Sequence, residues 1–243
     1  MTGSYTAHKT MNLYSQILGQ GPPVVLTAGM GQTSSAWDGL TGMLASRCTV
    51  LRWDYRGHGQ SESTDDPADY SADWALADLI TMMGRAGTSE DNKAVLIGHS
   101  LGGYLSLRAA VEIPQLIKAL VLIATGPGFR DDSAREKWNL FARSMRIDAG
   151  VHPEARRMSF QSDDRVMQAL NSIAVPTLVI VGGDDTHFIG AKEYLVRKMP
   201  RAAGVEIAGA RHSVHVTHSS QVSEAIASFL DQVFATTELC SHP

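Results

Sequence analysis

Short apolar runs separated by segments with helical spacing restrict the folds that this chain can adopt. The runs show no alternation of apolar and polar residues, and glycine, proline or a polar turn bounds each one. Continuous runs of this length are typical of parallel strands that are covered on both faces. The predicted strands occupy residues 24–28, 49–53, 94–98, 119–124, 177–182 and 205–208, after an earlier strand near 11–18.

Helical spacing fills most of the intervals between the runs. Strands and helices that alternate along a chain imply right-handed crossovers and a mostly parallel sheet with helices on both faces. The predicted fold class is therefore α/β. The predicted helices occupy residues 37–47, 74–85, 101–112, 191–199 and 221–234.

The alternation is interrupted once, between residues 126 and 173. This segment has no run that predicts a buried strand, and it is rich in charged and aromatic residues. We expect a small helical lid here, over the carboxyl edge of the sheet where open α/β sheets bind ligands. The predicted division is a core domain of residues 1–125 and 174–243 with a lid insertion of residues 126–173.

Composition excludes several classes of function. The net charge of −4 offers no basic surface for nucleic acid, and no apolar run approaches the ~20 residues of a membrane-spanning helix. The first nine residues lack the apolar centre of a signal peptide. The two cysteines, Cys48 and Cys240, stand at unrelated positions, so a structural disulfide is not expected. A reduced, cytoplasmic setting is the expected localisation.

The strongest chemical signal is a G-x-S-x-G motif formed by Gly98, Ser100 and Gly102. It ends a predicted strand and opens a predicted helix. A serine on such a tight turn is held in a strained backbone conformation, which requires neighbours without side chains that clash. The turn exposes the serine oxygen near the positive end of the helix. A serine that only caps the helix is the competing interpretation, and the strand–turn–helix context favours Ser100 as a nucleophile.

Five blocks of the sequence resemble the α/β-hydrolase superfamily in their order and spacing. Among them are G-H-S-L-G-G around Ser100 and W-D-Y-R-G-H-G-Q-S further upstream. The resemblance extends over nearly the whole chain and implies that fold, but it implies no single substrate, because the fold hosts many reactions. The blocks are residues 19–26, 53–61, 98–103, 176–185 and 209–213.

A serine nucleophile needs an imidazole to accept its proton and a carboxylate to fix the tautomer of that imidazole. The resemblance implies the chain order serine, acid, histidine, and the phrase G-x-x-D implies Asp185 as the acid. Asp184 is the adjacent alternative, since neighbouring residues point in different directions. Some relatives place the acid after the preceding strand, which leaves Asp131 or Asp132 as a further alternative.

Three histidines at a spacing of three follow the last predicted strand. His212, His215 and His218 invite a metal interpretation, but no H-E-x-x-H pattern accompanies them. The resemblance implies His212 as the base, with His215 and His218 on the surface or supporting the site. His58 and His99 are expected to pack beneath the site as hydrogen-bonded core groups. Neither a metal nor a cofactor is expected.

Acyl transfer requires two fixed donors for the oxygen that becomes negative in the transition state. The resemblance implies the backbone N–H groups of Leu101 and Met30 as this oxyanion hole. Two departures from the family lie nearby: Ala28 stands where relatives usually carry histidine, and Arg211 stands where they usually carry glycine. The first removes a side chain that relatives place beside the Met30 loop, and the second is expected to narrow or charge the rim of the pocket.

The predicted lid carries apolar side chains suited to the roof of a substrate pocket. The candidates are Phe129, Trp138, Phe141 and Met145, with Met158 and Phe160 as further ones. The alternative is that these residues form the buried face of the lid helices. A slight excess of basic residues in the segment hints at an acidic substrate, although such charges usually form a solvated helix face. The short lid favours a small to medium acyl group.

The predicted function is a serine hydrolase that cleaves a carboxylic ester or a lactone through an acyl-enzyme on Ser100. Its partner is a small-molecule acyl substrate, without nucleic acid or membrane, and the sequence does not indicate an oligomeric state. A carbon–carbon bond hydrolase, a thioesterase, a cofactor-free peroxidase and a lyase remain open on the same fold. A hydrolase-like binding protein is the alternative from a different class.

Overall fold

The computed structural model describes residues 11–147 and 149–238, with side chains as far as residue 235. Cys240 and the first nine residues, on which two of the expectations above depend, lie outside the described residues. Cys48 is buried as a free thiol.

The described residues form one seven-stranded sheet in which six strands are parallel. The strand order is β1-β3-β2-β4-β5-β6-β7, with β1 antiparallel to β3 at one edge. The prediction of a mostly parallel α/β sheet is confirmed. The strands are β1 (Ser15–Leu18), β2 (Pro23–Thr27), β3 (Thr49–Trp53), β4 (Ala94–His99), β5 (Ile117–Ile123), β6 (Thr177–Gly182) and β7 (Ala202–Ile207).

Helices cover both faces of the sheet. Helices α1 and α8 pack against one face, and α2, α3 and α6 pack against the other. No helix in residues 11–147 and 149–238 is long and apolar enough to cross a membrane. The helices are α1 (Asp38–Ala45), α2 (Ala72–Arg85), α3 (Leu101–Glu112), α4 (Asp132–Ser144), α5 (Arg165–Ala169), α6 (Ile189–Lys198), α7 (Val214–Thr217) and α8 (Ser219–Glu238).

The two faces explain why the strands read as unbroken apolar runs. Within β2, Val24 and Leu26 point into the core beneath α1 and α8, whereas Val25 points into the core beneath α2 and α3. Successive side chains of a strand alternate between faces, so a strand that is covered on both sides needs apolar residues at every position.

The two edge strands differ most from the prediction. β1 covers only the last four residues of the predicted 11–18 strand, and β7 begins at Ala202 rather than at residue 205. Gly204 and Glu206 of β7 are exposed. An edge strand that faces solvent is not apolar along its whole length. A prediction from apolar runs therefore places the ends of such a strand poorly.

Residues 126–173 contain helices and no strand among the residues described. Besides α4 and α5, the segment has short 3₁₀ helices at Pro153–Ser159 and Leu170–Ser172. An isolated antiparallel β-bridge, which belongs to none of the seven strands, pairs Val151 of the segment with His58. This agrees with the helical content expected of the segment, while its division from the core as a lid stays a prediction.

Candidate active site

Ser100 occupies the turn between β4 and α3 with a left-handed backbone, at φ 51° and ψ −113°. This conformation is strained for any residue with a Cβ and persists only where the surroundings hold it. The Ser100 N–H donates to the carbonyl of Ile123 at 2.9 Å, and the Ser100 carbonyl accepts from Thr125 Oγ1 at 2.7 Å. Both partners lie at the carboxyl end of the neighbouring strand β5, where Ile123 is the last residue and Thr125 follows two residues later. The sheet itself therefore fixes the strained turn.

The two glycines of the motif permit a close approach of backbones. A Cβ on Gly98 would lie 2.3 Å from the carbonyl oxygen of Gly102. A Cβ on Gly102 would lie 2.1 Å from the carbonyl oxygen of Thr27 at the end of β2. Real Cβ atoms do not approach oxygen this closely, so only glycine lets α3 start this near to the sheet.

Asp185, and not Asp184, is the carboxylate that contacts a histidine. Its Oδ2 accepts from Nδ1 of His212 at 2.9 Å, and its side chain is buried. Its Oδ1 accepts from the backbone N–H groups of His187 and Phe188 at 3.2 Å and 3.3 Å. Asp184 is exposed. With Nδ1 donating to the carboxylate, Nε2 of His212 is the nitrogen left to accept a proton.

The more distant acid candidates serve another purpose. Asp131 caps α4, where its Oδ1 accepts from the hydroxyl of Ser133 and the N–H of Ala134. These bonds, led by the one from the hydroxyl, lower the pKa of Asp131. The neighbouring Asp132 forms an ion pair with Arg135 within the same helix.

The three predicted catalytic residues follow strands that end at one edge of the sheet. Ser100 follows β4, Asp185 follows β6 and His212 follows β7. The residue before Ser100 also contacts His212: Nε2 of His99 lies 3.0 Å from the His212 carbonyl oxygen. On the other side, the ring of Phe188 stacks on His212 with centroids 5.0 Å apart. The structure therefore gathers all three at the carboxyl edge.

His215 is completely buried, so a surface position is wrong for it. The turn of α7 directs its ring between Trp37 and His99, at centroid distances of 4.7 Å and 4.1 Å. Burial, assisted by His212, lowers the pKa of His215 to about 4. His218 instead lies 2.9 Å from the hydroxyl of Thr217 through Nδ1. In the described part of the chain, no three His, Cys, Asp or Glu side chains are grouped to hold a metal.

His99 is a buried core histidine, as expected. Its Nδ1 lies 2.9 Å from Gln32 Oε1 and its Nε2 faces the His212 carbonyl, and both of these oxygens are acceptors. A neutral ring donates through one nitrogen only, so two acceptors favour the charged ring. Burial opposes this most strongly, and with His215 and His212 it lowers the pKa of His99 well below its usual range.

One side chain from within the loop and one from further along the sequence hold the loop that carries Met30. The N–H of Gly29 donates to Gln32 Oε1 at 3.0 Å, and the N–H of Gly31 donates to His58 Nε2 at 3.1 Å. Burial lowers the pKa of His58 to about 4, so its Nε2 stays unprotonated and accepts at neutral pH. Met30 thus lies between two tethered amides. The sequence analysis missed the role of Gln32. The sequence shows that Gln32 follows Gly29, Met30 and Gly31, but it does not show which groups its side chain bonds.

The backbone of Ala28, the first departure from the family, has a hydrogen-bond partner. The Ala28 carbonyl accepts from the hydroxyl of Tyr55 at 2.8 Å, and both residues are buried. The other departure, Arg211, is exposed and does not line the cavity beside Ser100. Neither replacement therefore obstructs the space where a substrate would lie.

A mostly apolar cavity of about 150 Å³ opens beside Ser100. Phe129, Trp138 and Met145 line it as predicted. Phe141 does not, because α4 turns its ring outward and leaves the residue 48% exposed. The remaining lining residues are Met30, Leu101, Tyr104, Thr125, Gly126, Pro127, Gly128, Ser159, Gln161, His187, Phe188 and Ala191.

The other candidates of the 126–173 segment have structural positions. Met158 is buried in the core, and Phe160 lies beneath the guanidinium groups of Arg143 and Arg157. None of the described residues that line the cavity is an arginine or a lysine, so this lining does not support the hint of an acidic substrate. A larger depression of about 360 Å³ lies at the opposite edge of the sheet, near Ile117 and Pro176 and away from Ser100.

The sequence model of the alpha/beta hydrolase family matches residues 24–225. The chain belongs to this family. The resemblance predicted from the five sequence blocks is therefore confirmed. A solved structure of similar shape is MenH from S. aureus, with a TM-score of 0.80 and 18% identity over 90% of this chain and 98% of that one. At this identity the likeness shows the shared fold.

Curated relatives of this alpha/beta hydrolase have different lengths. Pimeloyl-[acyl-carrier protein] methyl ester esterase of Chromobacterium violaceum is 26% identical over 91% of this chain and 99% of the esterase. Polyketide synthase ThaQ of Burkholderia thailandensis is 30% identical over 90% of this chain. The chain spans only 12% of the length of ThaQ.

Proposed function

We propose that the chain is a serine hydrolase that cleaves a carboxylic ester or a lactone, with Ser100 as nucleophile. One observation carries the proposal: the buried carboxylate of Asp185 bonds Nδ1 of His212 at the edge of the sheet where the strained Ser100 turn lies. A binding protein has no chemical need for this pair. The similarity to an enzyme named as a methyl ester esterase supports the same reaction class.

In the proposed mechanism His212 takes the hydroxyl proton of Ser100 through Nε2. The serine oxygen attacks the substrate carbonyl carbon, and the carbonyl oxygen becomes an oxyanion that the N–H groups of Met30 and Leu101 stabilise. The intermediate collapses to the acyl-enzyme as His212 gives the proton to the leaving alkoxide. Water then attacks the acyl carbon with His212 again as base, which releases the acid and restores the serine. No cofactor takes part in these steps.

Asp185 has the role of holding His212 in one tautomer and orientation. Its second oxygen accepts from two backbone N–H groups, so the carboxylate itself does not rotate. A fixed carboxylate stabilises the imidazolium that forms during each proton transfer. Phe188 stacks on the same ring and limits its motion.

The size and lining of the cavity favour a short acyl group. Its volume of about 150 Å³ is below the roughly 300–1,000 Å³ of sites that take drug-sized ligands. Residues of the 126–173 segment form much of its wall, and we propose that this segment is the lid of the site. The apolar lining desolvates the acyl group and strengthens the oxyanion contacts.

Covalent labelling with a fluorophosphonate probe tests the proposal. We expect the probe to label Ser100, as located by intact mass and peptide mapping, and to leave Ser100→Ala unlabelled. His212→Ala should label far more slowly because the serine loses its base. Ser144→Ala, which removes an exposed hydroxyl on α4, is the matched control and should label like the parent. A folded parent protein that neither labels nor hydrolyses p-nitrophenyl esters refutes the serine nucleophile.

A further inference from the structure

Gln161 is one of the residues that line the cavity beside Ser100. Its side-chain oxygen Oε1 is enclosed by protein atoms and has no hydrogen-bond partner. Its backbone is fixed by a reciprocal pair with Asn139 of α4. The Gln161 N–H donates to Asn139 Oδ1 at 2.8 Å, and the Gln161 carbonyl accepts from Asn139 Nδ2 at 2.9 Å. The protein therefore holds Gln161 at the cavity through its backbone, while the Oε1 atom is left unbonded.

An unpartnered oxygen of this kind is unfavourable unless something else bonds it. A buried amide oxygen without a donor destabilises the folded state, because the hydrogen bond that it makes to water in the unfolded chain is lost and not replaced. The nearby cavity residue Thr125 shows the usual arrangement, since its hydroxyl donates to the Ser100 carbonyl. Buried unsatisfied groups are rare in native proteins and often mark a function. A ligand that donates to Oε1 would remove the penalty.

The space around Oε1 is shaped by a glycine. Gly128 lines the same cavity at φ 89°, and a Cβ there would lie 2.6 Å from Gln161 Oε1. The aromatic ring of Tyr104, also a cavity residue, lies 3.4 Å from the same point. Without a Cβ on Gly128, Oε1 can pack closely against that residue. Because the terminal torsion of glutamine is soft, a ligand in the cavity would reach Oε1 after a rotation about that torsion. These three residues meet at one wall of the mostly apolar cavity.

We propose that Gln161 is a specificity-determining residue that binds a neutral hydrogen-bond donor on the acyl group of the substrate. The inference rests on the proposed function and narrows its substrate to short acyl esters or lactones that carry a hydroxyl or an amide N–H. The donor is neutral because none of the described residues that line the cavity is an aspartate or a glutamate that would offset a cation. It is a donor because an amide oxygen only accepts.

The test compares methyl esters of butanoic, 3-hydroxybutanoic and 3-methoxybutanoic acids, and of hexanoic, 6-hydroxyhexanoic and 6-methoxyhexanoic acids. A pH-stat follows acid release by the parent, by Gln161→Met and by Gln168→Met. The last is a matched control, since Gln168 is exposed and bonds Asp164. We expect the parent to prefer a hydroxy ester in kcat/KM over its unsubstituted and methoxy counterparts, by about tenfold or more. Gln161→Met should lose that preference and still cleave the unsubstituted ester, and Gln168→Met should keep it.

A second variant and a labelling measurement distinguish failure of the Gln161 proposal from failure of the proposed function. Gln161→Glu keeps an acceptor at this position, so it should retain a preference for the hydroxy ester. This variant still tests the proposal if Gln161→Met does not fold. Fluorophosphonate labelling of Ser100 is measured on every variant. Normal labelling with no preference for a hydroxyl, or with a preference that survives in Gln161→Met, overturns the role of Gln161. An equal preference for methoxy esters overturns the donor assignment. Absence of labelling in the parent overturns the proposed function itself.

Discussion

Replacing His215 by phenylalanine is expected to weaken the dependence of unfolding free energy on pH. The His215 ring is fully buried against Trp37 and His99, and neither of its nitrogens has a hydrogen-bond partner. Its pKa is lowered from 6.5 to about 4, chiefly by burial. Phenylalanine has a similar ring without a titratable group, so the substitution removes the proton linkage while preserving most of the packing.

The sign follows from which state binds the proton first. As the pH falls below 6.5, the His215 side chain becomes protonated in the unfolded chain, but in the folded protein it stays neutral until the pH nears 4. Stability is therefore complete above the unfolded pKa and is lost as the pH falls. At 1.36 kcal/mol per pKa unit the full loss is about 3 kcal/mol, of which about 2 kcal/mol has gone by pH 5.

Urea unfolding followed by far-ultraviolet circular dichroism measures this loss at about pH 7.5, 6 and 5. The parent should lose about 2 kcal/mol more than His215→Phe between the highest and lowest pH. His58, whose pKa is lowered in the same way, continues to contribute in both proteins. The same substitution at His218, which is only partly buried, is the control and should behave like the parent. Equal losses in the parent and in His215→Phe would refute the reasoning.

Three further substitutions test the site. Gly102→Ala places a Cβ 2.1 Å from the Thr27 carbonyl oxygen and should reduce the unfolding free energy by about 3 kcal/mol; urea unfolding that matches the parent would contradict the close approach. Asp185→Asn should lower kcat/KM for p-nitrophenyl acetate by roughly 10³–10⁴-fold, whereas Asp184→Asn should leave kcat/KM within about twofold of the parent value. Equal losses in the two variants would mean that the wrong carboxylate is assigned. Gln32→Leu removes the acceptor of the Gly29 N–H and should lower kcat by about tenfold with little change in KM; steady-state kinetics with an unchanged kcat would show that the loop needs no such tether.

The predictions that succeeded depend on local patterns that survive folding. Central strands such as β4 and β6 are buried along their whole length, so their apolar runs identify them within a residue or so. Three of the six residues of the edge strand β7 are exposed, namely Ala203, Gly204 and Glu206, and its pattern identifies only its end. The position of Ser100 follows from its flanking glycines, because the steric need for them is a local property of the strand–turn–helix unit.

The choice between Asp184 and Asp185 required the tertiary structure. Both follow β6 and have the same chemistry, and the family pattern G-x-x-D favours Asp185 without excluding its neighbour. The turn after β6 decides the matter, since it directs one side chain toward His212 and leaves the other exposed. Likewise, α4 turns Phe141 outward and Trp138 inward, which depends on how the helix docks and not on the hydrophobicity of either residue.

By itself, the sequence determined the α/β fold, the family and the place of the serine turn. Each of these depends on residues that are close together in the sequence and form apolar runs, helical spacing or a glycine motif. The tertiary structure decided which carboxylate meets the histidine, how Gln32 and His58 hold the Met30 loop, and where Gln161 faces the cavity. Apart from the bond between Gln32 and Gly29, which lies within one loop, those contacts join groups from separate strands and loops. Their distances depend on the docking of whole elements, for which the chain contains no specific local pattern.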